Sequence, residues 1–241
     1  MGKLVDEILH VSSVITSDGM GSYYRLPRTF LDTISSSHWL YRPEANRYHL
    51  YVSYACPWAT RALIYRQLKG LADYISVDGV HPDMGDDGWI FDDTYKGSSK
   101  DSLHGFKFLR QVSLEADPLA STSVTVPVLW DKKTGSIVNN ESSQIIRIFN
   151  SAFNDLNGNT DDFYPSSLRW EIDDLNGKIY HTVNNGVYKT GFAANQESYD
   201  EAVTSLFDTL DELDQRLINF KYLLGDEMTE ADLRLIPTLL R

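Results

Sequence analysis

Cysteine is almost absent from this sequence: Cys56 is the only one among 241 residues. A single cysteine excludes an internal disulfide framework and predicts a reducing compartment, with the cytoplasm as the default location. No group of Cys and His residues has the spacing of a zinc site, so no metal is expected.

Long apolar runs and excess positive charge are missing as well. No segment approaches the about 20 apolar residues of a membrane helix, and the first residues lack the apolar core of a signal peptide. Lys and Arg number 22 against 34 Asp and Glu, which gives a net charge of −12. Such a charge repels phosphate backbones and anionic lipids, so we expect neither a nucleic-acid nor a membrane partner.

The first half of the chain has the pattern of a βαβ unit. Residues 47–52 predict a buried strand, Pro57 suits the first turn of a helix, and Gly70 suits its C-terminal cap. A second strand is predicted at 73–77. Residues 78–120 are irregular in composition and predict a long insertion with one helix at about 106–114.

A β-hairpin and a helix complete this half. Residues 125–130 and 136–138 flank a turn, and Pro127 must occupy an edge or a special backbone site because it cannot donate to the ladder. The following run, 144–149, predicts a helix capped by Ser142 or Ser143.

The domain organisation follows from this reading. We expect an extended N-terminal arm at 1–45 with one short helix, an α/β domain at 46–155, a polar linker at 156–167 and an all-helical part at 168–241. The predicted helices of that last part cover about 168–185, 198–220 and the stretch from Thr229 onward.

Cys56 is the candidate nucleophile. In Cys-Pro-Trp-Ala, Ala59 stands where a Cys-x-x-Cys motif has its resolving thiol, so a partner thiol must come from outside, and glutathione is the abundant small thiol of a cytosol. A thiol where a strand turns into a helix lies near unpaired N–H groups that stabilise a thiolate. The alternative is a small apolar residue that fills the core.

Four motifs resemble one family. They are the Cys56 motif after a Tyr-Val-Ser strand, residues 125–131 (TVPVLWD), residues 137–143 (IVNNESS) and residues 184–193 (NNGVYKTGFA). The family that they resemble is the glutathionyl-hydroquinone reductases, the Xi class of glutathione transferases. The matches run in order between residues 47 and 241. The resemblance implies a thioredoxin-like α/β domain followed by an all-α glutathione-transferase domain.

The resemblance also implies the glutathione site. Pro127 matches the cis proline of the thioredoxin fold, which frees the Val126 backbone to pair with the cysteinyl amide of glutathione. Glu141 and Ser142, at a helix N-terminus, match the pair that holds the γ-glutamyl end.

Three further residues match family positions. Trp89 and Arg110 match glutathione contacts, with Arg110 suited to the glycyl carboxylate. Tyr188 matches a tyrosine that lines the electrophile site. Without the family, Trp89 is an ordinary core residue, Arg110 a solvated helix residue and Tyr188 a helix-packing residue.

The implied activity is glutathione-dependent reduction of S-glutathionyl-hydroquinones through a Cys56–glutathione mixed disulfide, with glutathione as co-substrate and a homodimer as the expected assembly. Two alternatives remain: an Omega-like thiol transferase or dehydroascorbate reductase, and a non-catalytic protein of the same fold.

The sequence departs from the family pattern in two places. Ser113 and Ser123 replace the usual aromatic and Arg, which affects the packing of the insertion. A capping box at 229–232 begins a helix, and the chain stops at Arg241 where family members continue. We therefore expect a truncated helical domain with an exposed apolar face on that helix, at Leu233, Leu235, Ile236, Leu239 and Leu240.

Overall fold

A computed structural model of the chain describes residues 2–5, 8–10, 16–17 and 19–241. The other positions of the predicted N-terminal arm, namely 1, 6–7, 11–15 and 18, lie outside the described residues. The chain divides into two compact units, one of residues 1–14 and 27–161 and one of residues 15–26 and 162–241. The arm is therefore not one separate element, since residues 15–26 group with the helical unit.

Strands and helices alternate in the first part of the chain, and only helices follow the strand Ser136–Asn139. In the part of the chain that the structure describes, they are β1 Gly2–Val5, β2 Ile8–His10, β3 Thr16–Ser17, β4 Tyr23–Tyr24, β5 Tyr48–Val52, α1 Pro57–Leu68, β6 Ile75–Gly79, α2 Leu109–Ala116, β7 Ser123–Val124, β8 Val128–Asp131, β9 Ser136–Asn139, α3 Ser142–Ser151, α4 Asn154–Asn157, α5 Arg169–Ile179, a π-helical turn at Tyr180–Asn184, α6 Gly186–Gly191, α7 Gln196–Leu217 and α8 Glu230–Leu239.

The first unit is organised around a four-stranded sheet of order β6-β5-β8-β9. Strand β5 is parallel to β6, which α1 connects to it, and antiparallel to β8. Every residue of β5 is buried, as expected for a central strand covered on both faces. This thioredoxin-like arrangement is the one that the sequence pattern and the resemblance predicted.

Several boundaries differ from the prediction. Strand β8 begins at Val128 rather than 125, because the Val126–Pro127 peptide is cis and Pro127 has no N–H to donate to the ladder. Helix α2 begins only at Leu109, where the Gln111 side chain accepts hydrogen bonds from the N–H groups of Phe108 at 2.9 Å and Lys107 at 3.1 Å.

A buried ion pair joins the two central strands at the end remote from Val52. The guanidinium of Arg47 donates two hydrogen bonds to the carboxylate of Asp131, at 2.8 and 2.7 Å, and the Asp131 side chain is fully buried. The backbone N–H of Lys133 and the hydroxyl of Thr134 also donate to that carboxylate. The β8–β9 hairpin is thereby tied to the start of β5.

The insertion at 78–120 is held to the sheet by a second buried carboxylate. Asp78, in β6, accepts from the N–H of Ser102 at 2.6 Å and from the hydroxyl of Ser99 at 3.2 Å, and it lies 3.3 Å from Nε2 of the buried His49. Burial alone would raise the pKa of Asp78, but the hydrogen bonds from His49 and Ser102 hold it below its ordinary value.

The second unit is helical. Its core consists of Leu175, Ile179, Val183, Leu206, Leu213, Leu223, Ala231 and Leu235. The predicted helix at 168–185 is divided, because the last turn before Asn185 is π-helical. Helix α8 begins with the predicted capping box, in which Thr229 donates from its N–H and hydroxyl to Asp232.

The apolar residues of α8 are partly covered. Leu233 and Leu235 are buried, whereas Ile236, Leu239 and Leu240 are 38%, 55% and 75% exposed. Within the described parts of 1–45 the arm contains short strands and no helix, contrary to the expected short helix. No helix in the described part of the chain has both the length and the apolar character to cross a bilayer.

The Arg47–Asp131 pair makes a first prediction. Asp131→Asn should lower the free energy of unfolding by about 3 kcal/mol, because the buried Arg47 guanidinium then keeps only the half-exposed carboxylate of Glu44 as a charged partner. Urea denaturation at pH 7 measures this. Asp93→Asn, which removes an exposed pair with Lys100, is the control and should cost no more than about 1 kcal/mol.

The effect of Asp131→Asn should depend on pH. Burial would raise the pKa of Asp131, but hydrogen bonds from Arg47, Lys133 and Thr134 lower it overall. A lowered folded-state pKa gives stability that is present above the ordinary carboxyl pKa and lost as the pH falls through the lowered value. The difference between wild type and variant should therefore shrink below about pH 4. A difference that stays constant down to pH 2 would contradict this assignment.

Candidate active site

Cys56 is the N-cap residue of α1, four residues after the end of β5. Its N–H donates to the Ser53 carbonyl at 3.0 Å, and its own carbonyl accepts from the N–H and the hydroxyl of Thr60, both at 3.0 Å. The side chain is half-buried. The local backbone thus fixes Cys56 at the positive end of the α1 dipole.

The cis peptide lies directly beside this sulfur. Sγ of Cys56 is 3.7 Å from the carbonyl oxygen of Val126, the residue before Pro127. The contact follows from the sheet: Tyr51 near the end of β5 pairs with Val128 at the start of antiparallel β8. The segment after β5, which contains Cys56, therefore meets the segment before β8, which contains Val126.

A second helix N-terminus belongs to the same unit. Glu141 is the N-cap of α3, and its carboxylate accepts from the N–H of Ser143 at 3.1 Å. The prediction that Ser142 or Ser143 caps this helix was wrong, because the longer Glu141 side chain reaches back to the first turn. Ser142 instead is the first helical residue, 3% exposed, with its hydroxyl 3.5 Å from the Glu141 carboxylate.

Backbone hydrogen bonds lead from the sheet to the segment that carries Trp89. The Val80 N–H donates to the carbonyl of Val52, the last residue of β5, and the His81 N–H donates to Ile90, both at 2.8 Å. The N–H of Leu109 then donates to the Trp89 carbonyl at 3.0 Å. The Trp89 segment and the start of α2 therefore continue from the same sheet edge as Cys56.

Arg110 lies in the first turn of α2. Its guanidinium is 3.3 Å from the carboxylate of Asp87, donates to the Asp87 carbonyl, and stacks 4.0 Å above the Phe108 ring. Asp87 is exposed, so this ion pair is a weak one that an incoming carboxylate can replace.

Among the described residues of this unit, Trp89 and Thr125 each have a buried polar side-chain atom without a hydrogen bond. These atoms are Nε1 of Trp89 and Oγ1 of Thr125, the neighbour of Val126. Leaving such a group unsatisfied costs about 1–3 kcal/mol. This cost is typical of sites that a polar ligand completes.

Tyr188 belongs to the helical unit, on α6. Its ring stacks on Tyr23 at 6.1 Å between centroids, and the guanidinium of Arg25 lies 4.5 Å above it. Arg25 in turn donates from Nε to Oδ1 of Asn185 at 3.1 Å. The ring therefore packs against Tyr23 and Arg25, two residues of the segment 15–26.

The structure groups the predicted residues as follows. Six lie in the first unit, namely Cys56, Trp89, Arg110, Val126, Glu141 and Ser142, and Tyr188 lies in the second. Their roles stay predictions. Arg61 is also buried, with its side chain 1% exposed, which was not predicted from the sequence. Its position among Ala59, Ala62 and Tyr65 on the buried face of α1 is the signal that could have revealed this burial.

Two family models match the chain. Residues 55–152 match the glutathione S-transferase N-terminal domain, and residues 196–241 match the glutathione S-transferase C-terminal domain. The chain is 49% identical over 248 residues to glutathionyl-hydroquinone reductase YqjG of Escherichia coli, across 100% of this chain and 76% of that protein. It is 48% identical over 238 residues to glutathione S-transferase omega-like 2 of Schizosaccharomyces pombe, across 96% of this chain and 75% of that protein.

Solved structures agree with these matches. The glutathione-bound structure of YqjG from Escherichia coli has a TM-score of 0.90 at 47% identity, over 100% of this chain and 74% of that one. The glutathione transferase Xi from Phanerochaete chrysosporium has a TM-score of 0.88 at 49% identity, over 90% of this chain and 74% of that one. This chain therefore belongs to the glutathionyl-hydroquinone reductases, the Xi class of the glutathione transferase family of enzymes.

Proposed function

We propose that this chain reduces S-glutathionyl-hydroquinones with glutathione and that Cys56 is the nucleophile. The observation that carries the proposal is the position of Cys56: it is half-buried at a helix N-terminus, with Sγ 3.7 Å from the Val126 carbonyl, and no second cysteine exists in the chain. A relative with 49% identity is named a glutathionyl-hydroquinone reductase, and its structure is described as glutathione-bound.

The first step is attack of the Cys56 thiolate on the glutathione sulfur of the substrate. A sulfur–sulfur bond forms between Cys56 and the glutathionyl group, and the bond between that sulfur and the quinol ring breaks. The electron pair of the broken bond stays on the ring carbon, which takes a proton, so the free hydroquinone leaves.

The second step regenerates the enzyme. The thiolate of a second glutathione attacks the glutathionyl sulfur of the mixed disulfide, releases oxidised glutathione and leaves Cys56 as a thiolate. The two electrons gained by the ring are those lost by the two glutathione sulfurs. Because Ala59 supplies no resolving thiol, this second thiol must come from solution.

Glutathione binding in this proposal uses backbone and side-chain groups of the first unit. The Val126 backbone pairs with the cysteinyl amide, and Glu141 with Ser142 holds the γ-glutamyl ammonium and carboxylate. The unpartnered Nε1 of Trp89 supplies a donor, and Arg110 exchanges Asp87 for the glycyl carboxylate. We further propose Tyr188 as the proton donor to the ring.

A second candidate function is that of an Omega-like thiol transferase or dehydroascorbate reductase. The observation in its favour is the 48% identity to a relative named omega-like. Both functions use the same cysteine and the same glutathione site, so only the second substrate separates them.

Removal of the nucleophile tests the mechanism. Cys56→Ala should reduce turnover of a glutathionyl-hydroquinone to background and leave the dissociation constant of glutathione within about threefold of wild type, since the proposed binding groups remain. Cys56→Ser is the isosteric control and should be equally inactive because a serine hydroxyl cannot form the mixed disulfide. Retained activity in Cys56→Ala would refute the proposed nucleophile.

The double role of Glu141 gives a further prediction. Glu141→Gln keeps an oxygen that caps α3 but loses the charge that pairs with the γ-glutamyl ammonium, so we expect KM for glutathione to rise about 10–100-fold with the melting temperature nearly unchanged. Glu141→Ala should show the same rise in KM and also lose about 1 kcal/mol of stability with the cap. An unchanged KM in Glu141→Gln would remove Glu141 from the binding site.

Substrate preference distinguishes the two candidate functions. Purified protein with glutathione should turn over glutathionyl-menadiol with a higher kcat/KM than dehydroascorbate. A higher kcat/KM on dehydroascorbate would favour the Omega-like function, and a folded protein inactive on both substrates would contradict both.

A further inference from the structure

Arg25 contacts both Tyr188 and the residue at the start of the helix that carries Tyr188. Its guanidinium carbon lies 4.5 Å from the centroid of the Tyr188 ring, which is a cation–π geometry. Its Nε donates to Oδ1 of Asn185, the N-cap residue of α6, at 3.1 Å. The N–H of Tyr188 in turn donates to the Asn185 carbonyl at 3.1 Å. One side chain therefore ties the ring of Tyr188 to the start of its own helix.

Two aromatic rings also pack against Tyr188. Tyr23 stacks on it with 6.1 Å between centroids and 23° between the planes, and Phe192 lies at 6.2 Å and 41°. Tyr23 and Phe192 are in contact with each other at 5.5 Å. Tyr23 is buried, whereas Tyr188 is only half-buried. These contacts restrict the orientation of the Tyr188 ring and leave part of its side chain open to solvent.

A cation over this ring also affects its chemistry. In the proposed function Tyr188 gives a proton to the quinol ring, so its oxygen becomes negative until water reprotonates it. A guanidinium attracts a phenolate more strongly than a neutral phenol, because the phenolate carries a full negative charge that is partly delocalised into the ring. This attraction requires only that Arg25 lies over the ring, whatever other groups it also contacts.

We propose that Arg25 is a positioning residue for proton transfer, which orients the Tyr188 ring and stabilises its anionic form during the reaction. Arg25 acts through Tyr188, and its role therefore rests on the proposed function, in which Tyr188 is the proton donor. Arg25 touches neither glutathione nor the quinol in this role, so the affinity for both should be independent of it.

A double-mutant cycle in turnover tests this role. Wild type, Arg25→Met, Tyr188→Phe and the double variant are assayed with glutathionyl-menadiol at saturating glutathione. Tyr188→Phe should lower kcat about 100-fold, as for a lost general acid. Arg25→Met should lower kcat about tenfold and leave KM within about twofold of wild type. In the Tyr188→Phe background, Arg25→Met should change kcat by less than about twofold, because the acid through which Arg25 acts is absent.

Further variants separate the charge of Arg25 from general stability. Arg25→Lys keeps the positive charge and should recover part of kcat. Arg25→Gln is uncharged and serves as the test protein if Arg25→Met does not fold. Arg169→Met is the matched control, because the Arg169 guanidinium lies 5.1 Å from the Tyr164 ring in the same unit, and its loss should leave kcat unchanged.

A spectroscopic measurement tests the effect of Arg25 on Tyr188 without turnover. In protein labelled with tyrosine that carries 13C at the ζ carbon, the resonance that disappears in Tyr188→Phe belongs to Tyr188. This resonance should shift in Arg25→Met, because the cation next to the ring is lost, and it should stay in place in Arg169→Met.

The positioning role is overturned if Arg25→Met has the kcat of wild type, if the two kcat losses multiply in the double variant, or if the Tyr188 resonance does not move. A raised KM with unchanged kcat would make Arg25 a ligand contact and would overturn it as well. Failure of the proposed function has a different signature. Wild-type protein would then turn over no glutathionyl-menadiol, although its Tyr188 resonance still responds to Arg25→Met, and the activity and the proton transfer would be refuted together.

Discussion

The antiparallel pairing of β5 with β8 is the constraint on which the candidate site depends. Cys56 follows the end of β5 and Val126 precedes the start of β8, so only this pairing brings the sulfur to 3.7 Å from the Val126 carbonyl. At the other end of the same strands, the buried Arg47–Asp131 pair fixes the register. Because a slip by one residue turns every side chain to the opposite face, an ion pair remote from the sulfur helps to determine where the sulfur lies.

The first unit combines a negatively charged protein with a locally positive site. The net charge is −12, yet the N-termini of α1 and α3 provide positive potential and Arg110 carries a partly exposed guanidinium. In the proposed function a tripeptide with two carboxylates and one ammonium suits this distribution, because Glu141 is a negative group at the start of α3. In that proposal, the residue that caps α3 also binds one end of the ligand.

Much of the architecture was predictable because local patterns and tertiary structure agree. The buried run in β5, Pro57 at the start of α1 and the Thr229–Asp232 box each indicated the element that forms. Pro127 was predicted to occupy an edge or a special backbone site because proline has no N–H to donate to a strand ladder.

The errors arose where the reach of one side chain or a long-range contact determines the local structure. Glu141 rather than a serine caps α3, since its longer carboxylate reaches the first turn. The insertion is held by Asp78, whose partners Ser99 and Ser102 are more than 20 residues away, and no periodicity reveals such bonds. Arg61 was missed because a charged residue in a helix is usually solvated, and only the packing of α1 on its neighbours shows that it is buried.

The most direct test of the central claim is intact-mass spectrometry of the protein after a single turnover. Protein mixed with a glutathionyl-hydroquinone in the absence of free glutathione should gain the mass of one glutathionyl group, located on the Cys56 peptide, with one equivalent of hydroquinone released. Addition of free glutathione should remove the adduct as oxidised glutathione. Release of hydroquinone without any adduct on Cys56 would contradict the account.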